Sequence, residues 1–334
     1  MNKSIVFTSP RVAELLNEQI PKAESGTAVV KLLRSTISAG TERANLVGDK
    51  NVTLEDRIVP FPRRSGYSSV GIVTEVGDGV SKVSVGDRVG ISWSVHSQFI
   101  RIPETNLHKL TDDVSDASAA LIHIATFPLA AIRKCNLELG ESAMVMGMGV
   151  LGMMAVQLLR LAGAAPIIAV DPIKEKRELA LRLGADLAFD PFDSDFVKSV
   201  KAATSGGVNV AIEVTGNGGA LNSTLDCMAK FGRVALLGCT RSSDFTVDYY
   251  RKVHGPGITM IGAHTLARPK NDSSRGWWTE FDDYEALIKL VRLGRLDLES
   301  LVEEVHSPND AFDVYTRLAA GGGFPVVQFD WSLI

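Results

Sequence analysis

The chain has 334 residues, a formal net charge of −4 and a pI near 5.9, with 45% hydrophobic and 22% charged residues. That length suits one large domain or two average ones, and the balance is that of a soluble globular protein, which excludes disordered and fibrous classes. Mild acidity without a basic stripe argues against nucleic acid as a partner. No run of like charges is long enough to be an interaction tail. Cys135, Cys227 and Cys239 lie far apart and form no CxxC pair. Such a set gives neither a disulfide framework nor a cysteine-rich zinc site, and a reducing compartment is the default. The opening MNKSIVFTSPRVAELLNEQ lacks the apolar core and cleavage site of a signal peptide. The most apolar stretch, 143–156, is broken by three glycines and is too short for a membrane span. A cytoplasmic protein with no membrane partner is therefore expected.

The first third reads as short strands and turns. Residues 27–33 form an extended run, and 70–76 (VGIVTEV) form a strand ending at the turn Gly77-Asp78-Gly79. Within 80–91, Gly86-Asp87 precedes the strand RVGI, and a further strand over 97–102 closes at Pro103. Many short strands with glycine turns predict a barrel-like β domain. From about Ser118 the text turns helical and Ala-rich. The strands SAMVM, PIIAVD, LAFD, VNVAIEV, RVALLG and ITMIGA then alternate with the helices LGMMAVQLLRLAG, KEKRELALRLGA, FVKSVKAATSG and GALNSTLDCMAKFG. That alternation predicts βαβ units and a parallel sheet with helices on both faces, an α/β fold. The strands are almost wholly apolar, as burial of both faces requires. After Ala263 an irregular stretch, HTLARPKNDSSRGWWTEF, leads to two amphipathic helices, DDYEALIKLVRLGRL and NDAFDVYTRLAAGG, and a last strand, PVVQFDW. The two ends of the chain are expected to complete the β domain together.

Gly147-Met148-Gly149-Val150-Leu151-Gly152 is a GxGxxG motif between a strand and a helix, and Asp171 ends the next strand 19 residues past Gly152. This is the spacing of a dinucleotide fingerprint. Gly147 allows the tight turn, Gly149 lets backbone approach a pyrophosphate, and Gly152 lets helix and strand pack closely. The helix N-terminus offers unpaired N–H groups to the phosphates. Asp171 would accept hydrogen bonds from the adenosine ribose and repel a 2′-phosphate, favouring NAD over NADP. Lys174, Lys176 and Arg177 would soften that repulsion. The alternative is a glycine cluster that serves packing alone, beside an unrelated Asp.

With these segments in order, the whole chain resembles the medium-chain alcohol dehydrogenase/reductase superfamily. The matches are Gly71 to Gly77 with Val85-Gly86-Asp87-Arg88-Val89, the GMGVLG turn, Val170-Asp171 with Lys176, and Gly184-Ala185-Asp186. The resemblance implies a GroES-like β-barrel catalytic domain (1–124 and 263–334) and a Rossmann dinucleotide-binding domain with a doubly wound parallel sheet (125–262). It places Gly147, Gly149, Val150, Leu151, Gly152, Asp171 and Lys176 at the cofactor. Val214, Thr215, Gly216, Leu237, Gly238, Ile261, Gly262 and Ala263 would line its cleft, with the nicotinamide facing the β domain. Most alcohol dehydrogenases of this superfamily use a catalytic zinc. Its first ligand is a Cys in a CGTD-like motif, where this chain has Ala39-Gly40-Thr41-Glu42. Its second is the His of a GHE motif, here Gly66-Tyr67-Ser68. The third aligns with His123. One imidazole cannot hold a zinc that takes three protein ligands and a water. The four-cysteine lobe of the structural zinc is also missing, so no metal is expected. The segment Ser38 to Arg43 (SAGTER) is similar to a zinc-free branch that includes bacteriochlorophyllide-type hydroxyethyl dehydrogenases and sugar-linked oxidoreductases.

Without zinc, positioned donors must stabilise charge on the substrate oxygen and deliver a proton. Thr41 aligns with the family's relay hydroxyl. Tyr67 replaces the zinc histidine and could donate through its phenol. His123 replaces the third ligand and could act as an acid/base near neutral pH. Each has a structural alternative: Tyr67 filling the volume of the missing metal, Thr41 capping a short helix, His123 as a satisfied core histidine. The family's second relay histidine aligns with Ala44, which breaks the usual proton wire. Glu42 reads as a contact to the nicotinamide ribose, a partner of Arg43 or a surface charge. Trp277 and Trp278 with Arg268 and Arg275 read as a lid over a polar or anionic substrate, or as a loop at a subunit contact. Met144, Met146, Met148, Met153 and Met154 read as core filling. The leading expectation is an NAD-dependent, zinc-independent oxidoreductase that interconverts a secondary alcohol (a sugar, polyol or cyclitol) and its ketone. The alternatives are a quinone or enone reductase and a catalytically inactive NAD(H)-binding module. By analogy with family dimers, the strand over 258–263 suggests a homodimer or tetramer.

Overall fold

In a computed structural model that describes residues 1–55 and 57–334, the chain forms two units, 1–124 with 284–334 and 125–283. The first contains β1 (Asn2–Ser9), β2 (Val12–Glu18), β3 (Thr27–Thr36), α1 (Ala39–Val47), β4 (Arg63–Arg64), β5 (Ser68–Val76), β6 (Arg88–Ser92), β7 (Phe99–Pro103) and β8 (Leu107–Lys109). The chain passes into the second unit along α2 (Asp116–Lys134). That unit holds β9 (Ala143–Met146), α3 (Val150–Ala162), β10 (Ile167–Val170), α4 (Lys174–Arg182), β11 (Leu187–Phe189), α5 (Phe196–Ala203), β12 (Val208–Glu213), α6 (Gly218–Asp226), β13 (Met228–Leu236) and β14 (Thr259–Gly262). The chain returns along α7 (Glu280–Arg292) to β15 (Glu304–His306), α8 (Ala311–Ala320) and β16 (Val327–Asp330).

In the first unit, β3 is the hub. Its sequence, TAVVKLLRST, is rich in β-branched and aliphatic residues that suit a strand buried on its inner face. It pairs antiparallel with β5 along one side and with β7 and then β16 along the other. The sheet runs β15-β16-β3-β5-β6-β8, and a second sheet runs β2-β1-β4. The pairings among the described residues trace this path and do not by themselves close the barrel expected from the sequence. β3 and β5 approach so closely that a Cβ at Gly71 would lie 2.4 Å from the Lys31 carbonyl oxygen, so the strand contact requires glycine there. Phe7, Leu32, Ile91, Tyr315, Phe329 and Trp331 form the heart of the core.

That core encloses a carboxylate. Glu42 is fully buried, not the surface charge that its sequence position allowed. Its Oε1 accepts from the Ser38 amide at 2.8 Å, and its Oε2 accepts from the Tyr315 hydroxyl at 2.5 Å. His96 Nε2 lies 3.2 and 3.1 Å from the two oxygens. His96 Nδ1 is 2.8 Å from the Ser35 hydroxyl, which accepts from Trp331 Nε1 at 2.8 Å. His96 thus bridges Glu42 through Nε2 and Ser35 through Nδ1. A buried carboxylate persists when its lone pairs are met in this way.

The second unit is a six-stranded parallel sheet in the order β11-β10-β9-β12-β13-β14. Counted from β9 this is 3-2-1-4-5-6, the doubly wound order, with its switch point at β9. Met144 and Met146 lie in the core, and Met148, Met153 and Met154 are also buried. One sequence expectation needs correction. The helix read through Gly232 ends at Asp226, because Met228 pairs with Val208. A bulge then carries the register to Val210 and Arg233, with Phe231 at φ 62°. The second unit extends to Asp283, so residues 263–283, read from the sequence with the β domain, lie in it. Cations at the end of α2 hold them there: Lys134 Nζ donates to the carbonyls of Gly262 (3.0 Å) and Ala267 (2.5 Å), and Arg133 Nε donates to Asp283 at 2.7 Å. No helix among the described residues is long and apolar enough to cross a membrane.

Tyr315→Phe removes one donor from buried Glu42 and should cost about 1–3 kcal/mol in urea unfolding at neutral pH. Burial and the neighbouring Glu42 push the Tyr315 phenol well above its ordinary value of 10. Above pH 10 the unfolded chain therefore releases a proton that the folded chain keeps, and stability falls as pH rises. The variant should lack that part of the alkaline decline, and an unchanged alkaline limb would remove Tyr315 from its cause.

Candidate cofactor and catalytic sites

In the second unit β9 ends at Met146 and the chain turns through Gly147, at φ 102°. Gly149 is the N-cap of α3, with no side chain capping the first turn. A Cβ at Gly152 would sit 1.9 Å from the Gly147 carbonyl oxygen, so only glycine lets the helix start this close to the strand. A Cβ at Gly149 would meet nothing within 4 Å, and the space above that backbone is open. The first turn of α3 is thus uncapped by any side chain and opens beside free space at Gly149, the geometry that receives a phosphate.

Asp171 follows β10 and is 7% exposed. Its Oδ2 accepts from the Met148 amide at 2.8 Å and its Oδ1 from the Ile173 amide at 2.9 Å. The carboxylate thus ties down the glycine turn, and each oxygen keeps a lone pair for a further donor. Arg177 Nη1 donates to the carbonyls of Asp171 (2.7 Å) and Pro172 (2.9 Å) and to Asp190 (3.2 Å). Lys174 lies 3.6 Å from Glu178, and Lys176 is half-buried.

The remaining expected cofactor residues gather around Glu213, which sequence reasoning missed. It ends β12 opposite Met146 of β9 and is buried. Its carboxyl accepts from the amides of Thr215 (2.7 Å) and Gly216 (3.1 Å) and from the Thr215 hydroxyl, which curls Val214-Thr215-Gly216 over the strand end. Burial pushes its pKa up. Leu237 and Gly238 donate their amides to the Glu213 carbonyl at 2.9 and 2.8 Å, and a Cβ at Gly238 would lie 2.3 Å from the Gly216 nitrogen. A Cβ at Gly147 would lie 2.8 Å from Thr215 Cγ2. Gly262 pairs with Leu236 at the end of β14, and the Ala263 amide donates to the Leu236 carbonyl. The glycine turn and both cleft loops thus meet at the carboxyl ends of the parallel strands. The available signal for Glu213 was an acid ending an apolar strand before Thr-Gly.

In the first unit, Tyr67 and His123 come together. The Tyr67 phenol donates to the Ser38 hydroxyl oxygen. His123 is fully buried, its ring edge-on to Tyr67 at 5.7 Å and to Trp93 at 4.9 Å. Trp93 carries φ 60°, left-handed backbone that a bulky residue rarely adopts, and its amide donates to the Tyr67 carbonyl at 2.8 Å. Thr41 lies in the first turn of α1, half-buried, and is not its cap; Ser38 occupies that position. Sequence reasoning missed both Ser38 and Trp93.

In the Arg268–Trp278 segment, Arg268 is turned inward, donating from Nε to the Thr265 carbonyl at 2.9 Å and lying 3.7 Å from Asp283. The Arg133 guanidinium covers the face of Trp278 at 3.6 Å. Arg268 and Trp278 thus hold the segment within the unit, leaving Trp277 and Arg275 exposed. Among the described residues, no three His, Cys, Asp or Glu side chains form a group that could hold a metal ion. Burial pushes the Cys135 and Cys227 thiols up to about 12, so neither offers a thiolate.

The family model described as zinc-binding dehydrogenase matches residues 150–279, and that of the alcohol dehydrogenase GroES-like domain matches residues 27–112. The chain is 26% identical to L-threonine 3-dehydrogenase of Pyrococcus horikoshii, over 98% of this chain and 97% of that protein. It is 27% identical to D-guloside 3-dehydrogenase of Escherichia coli (strain K12), over 91% and 92%. The solved structure of 2R,3R-butanediol dehydrogenase from Bacillus subtilis shares the fold, with a TM-score of 0.81 at 23% identity over 99% of each chain. The protein is an oxidoreductase, and its chain belongs to the medium-chain, zinc-binding-type alcohol dehydrogenase superfamily.

Proposed function

We propose that this enzyme interconverts a secondary alcohol, on a sugar, polyol or cyclitol, and its ketone, using NAD and no zinc. The observation that carries the reading is the open glycine cradle at the start of α3, tied to Asp171. The substrates in the names of the three similar proteins support the alcohol class, because C3 of L-threonine, C3 of a guloside and both carbinols of 2,3-butanediol are secondary. Bound NAD supplies hydride transfer. The first-turn amides of α3 would hold the pyrophosphate, and Asp171 would accept from the ribose diol. A 2′-phosphate about 4 Å from that carboxylate is disfavoured by about 4 kcal/mol at an effective dielectric of about 20. Arg177 is engaged by Asp190 and two carbonyls, and Lys174 lies beside Glu178, which leaves Lys176 to offset the repulsion.

The donor set does not fit zinc, which supports the metal-free reading. Where family ligands stand, this chain has an alanine, a phenol and an imidazole packed between aromatic rings. Charge on the substrate oxygen then falls to the hydroxyl group gathered at Tyr67, with Thr41 in the first turn of α1 beside it in sequence. His123 packs edge-on against the Tyr67 ring and helps to set its orientation. β14, the last strand of its sheet, is partly exposed and suits pairing across a two-fold axis in a homodimer or tetramer. The free cysteines suit a cytoplasmic setting.

Asp171→Ala should weaken NADH binding by about tenfold or more and close most of its margin over NADPH, read by fluorescence titration. Asp171→Asn keeps an oxygen for one of the two amides while losing the charge, so it should retain more NADH affinity than the alanine variant and still admit NADPH. An unchanged margin in both variants would sink the NAD assignment. Elemental analysis of the purified protein should find far less than one zinc per chain, and a chelator should leave its rate unchanged. Near-stoichiometric zinc, or a rate abolished by the chelator, would overturn the metal-free reading.

A further inference from the structure

A serine before a helix ordinarily caps it, its hydroxyl accepting from a first-turn amide for about 0.5–2 kcal/mol. Ser38 holds the cap position of α1 and makes no such bond. Glu42 takes the Ser38 amide instead, at 2.8 Å, and Tyr67 donates its phenol proton to the Ser38 oxygen. A serine hydroxyl has one proton and two lone pairs. Tyr67 occupies one lone pair, and no hydrogen bond from the Ser38 proton to any described residue is present. The residue is 7% exposed, and a buried donor left unused costs about 1–3 kcal/mol. A forgone cap beside an unused proton breaks two local rules at one position, which is where function is found. The position is also rigid. Glu42 is fixed by His96 and Tyr315, so the Ser38 backbone cannot drift.

We propose that Ser38 is the catalytic residue that hands the proton to the substrate oxygen, with Tyr67 behind it as the proton's source. This deepens the reading given under Proposed function and rests on it. In ketone reduction the carbonyl carbon takes hydride from a reduced nicotinamide dinucleotide, and the C=O π pair moves to oxygen. That oxygen takes the Ser38 Oγ proton, and Ser38 Oγ takes the Tyr67 phenol proton. The Tyr67 phenolate is reprotonated from water. Alcohol oxidation runs the same transfers backwards. Because the phenol proton follows at once, no full charge accumulates on Ser38, and the paired hydroxyls polarise each other in the donating direction. Tyr67 alone would spend its proton on Ser38 and have none to give the substrate.

The test uses the full chain with NADH and NAD, and 2,3-butanediol, L-threonine and methyl glycosides with their ketones as probes. The variants are Ser38→Ala, Ser38→Thr, Tyr67→Phe and the Ser38→Ala/Tyr67→Phe double. Ser38→Ala should lose about 100-fold or more in kcat, while KM for the reacting probe and Kd for NADH stay within about threefold. Ser38→Thr keeps a hydroxyl and should recover most of the rate. The double variant should be about as slow as Ser38→Ala alone, since residues acting as a unit are not additive. NADH titration and thermal melting establish that each variant is folded. Ser38→Ala turning over at near wild-type kcat, or folded Ser38→Thr as slow as the alanine variant, overturns the relay and leaves the proposed function standing. A wild-type protein that binds NADH and turns over none of the probes in either direction overturns both.

Discussion

The first unit is organised around one buried negative charge. Glu42 has no water to solvate it, so every lone pair must be met by a protein donor whose position is then no longer free. The donors come from distant parts of the chain: the Ser38 amide before α1, His96 before β7 and the Tyr315 hydroxyl on α8. Ser35 on β3 and Trp331 after β16 extend the network through His96. A hydrophobic core tolerates small shifts, whereas a buried carboxylate does so only at the cost of an unmet lone pair. The network therefore sets the register of α1 against the sheet, and with it the place of the hydroxyl that Tyr67 meets.

The second unit solves a similar problem with backbone. Asp171 and Glu213 are both acids at strand ends, and each collects amides of the loop that follows or lies beside it. Backbone N–H groups that would otherwise scatter are thereby aligned around the glycine turn. Side-chain bulk is excluded at Gly152, Gly216 and Gly238 by direct collision with backbone. The result is a floor made of peptide, which suits a ligand recognised largely through phosphates and ribose.

The second unit was the more readable of the two in sequence. Apolar strands, glycine spacing and an acid 19 residues past Gly152 are local patterns, and local patterns survive without knowledge of the fold. The misreading of CMAKFG as helix had a physical cause: the segment has helical propensity, but pairing of Met228 with Val208 overrides it. Glu42 and His96 were opaque because their meaning is a contact across 54 residues of chain. The hydroxyl of Ser38 was opaque for a related reason. A serine ahead of a helix predicts a cap, and only the arrival of Tyr67 shows it otherwise engaged. Arg268 and Trp278 carried the chemistry of ligand binding, yet Asp283 and Arg133 use it internally.

The hub strand β3 carries a consequence for how the protein is made. Its pairing with β16 joins Thr36 to Gln328, 292 residues apart along the chain. A nascent chain therefore displays the Arg34–Thr36 edge of β3 unpaired until β16 has emerged. Tyr315 and Trp331 arrive equally late, so the Glu42 carboxylate waits with only part of its final shell. The second unit, continuous from 125 to 283, meets no such delay and is complete in sequence before the first can close. The last twenty or so residues are in this sense the keystone of an arch whose other stones were laid first.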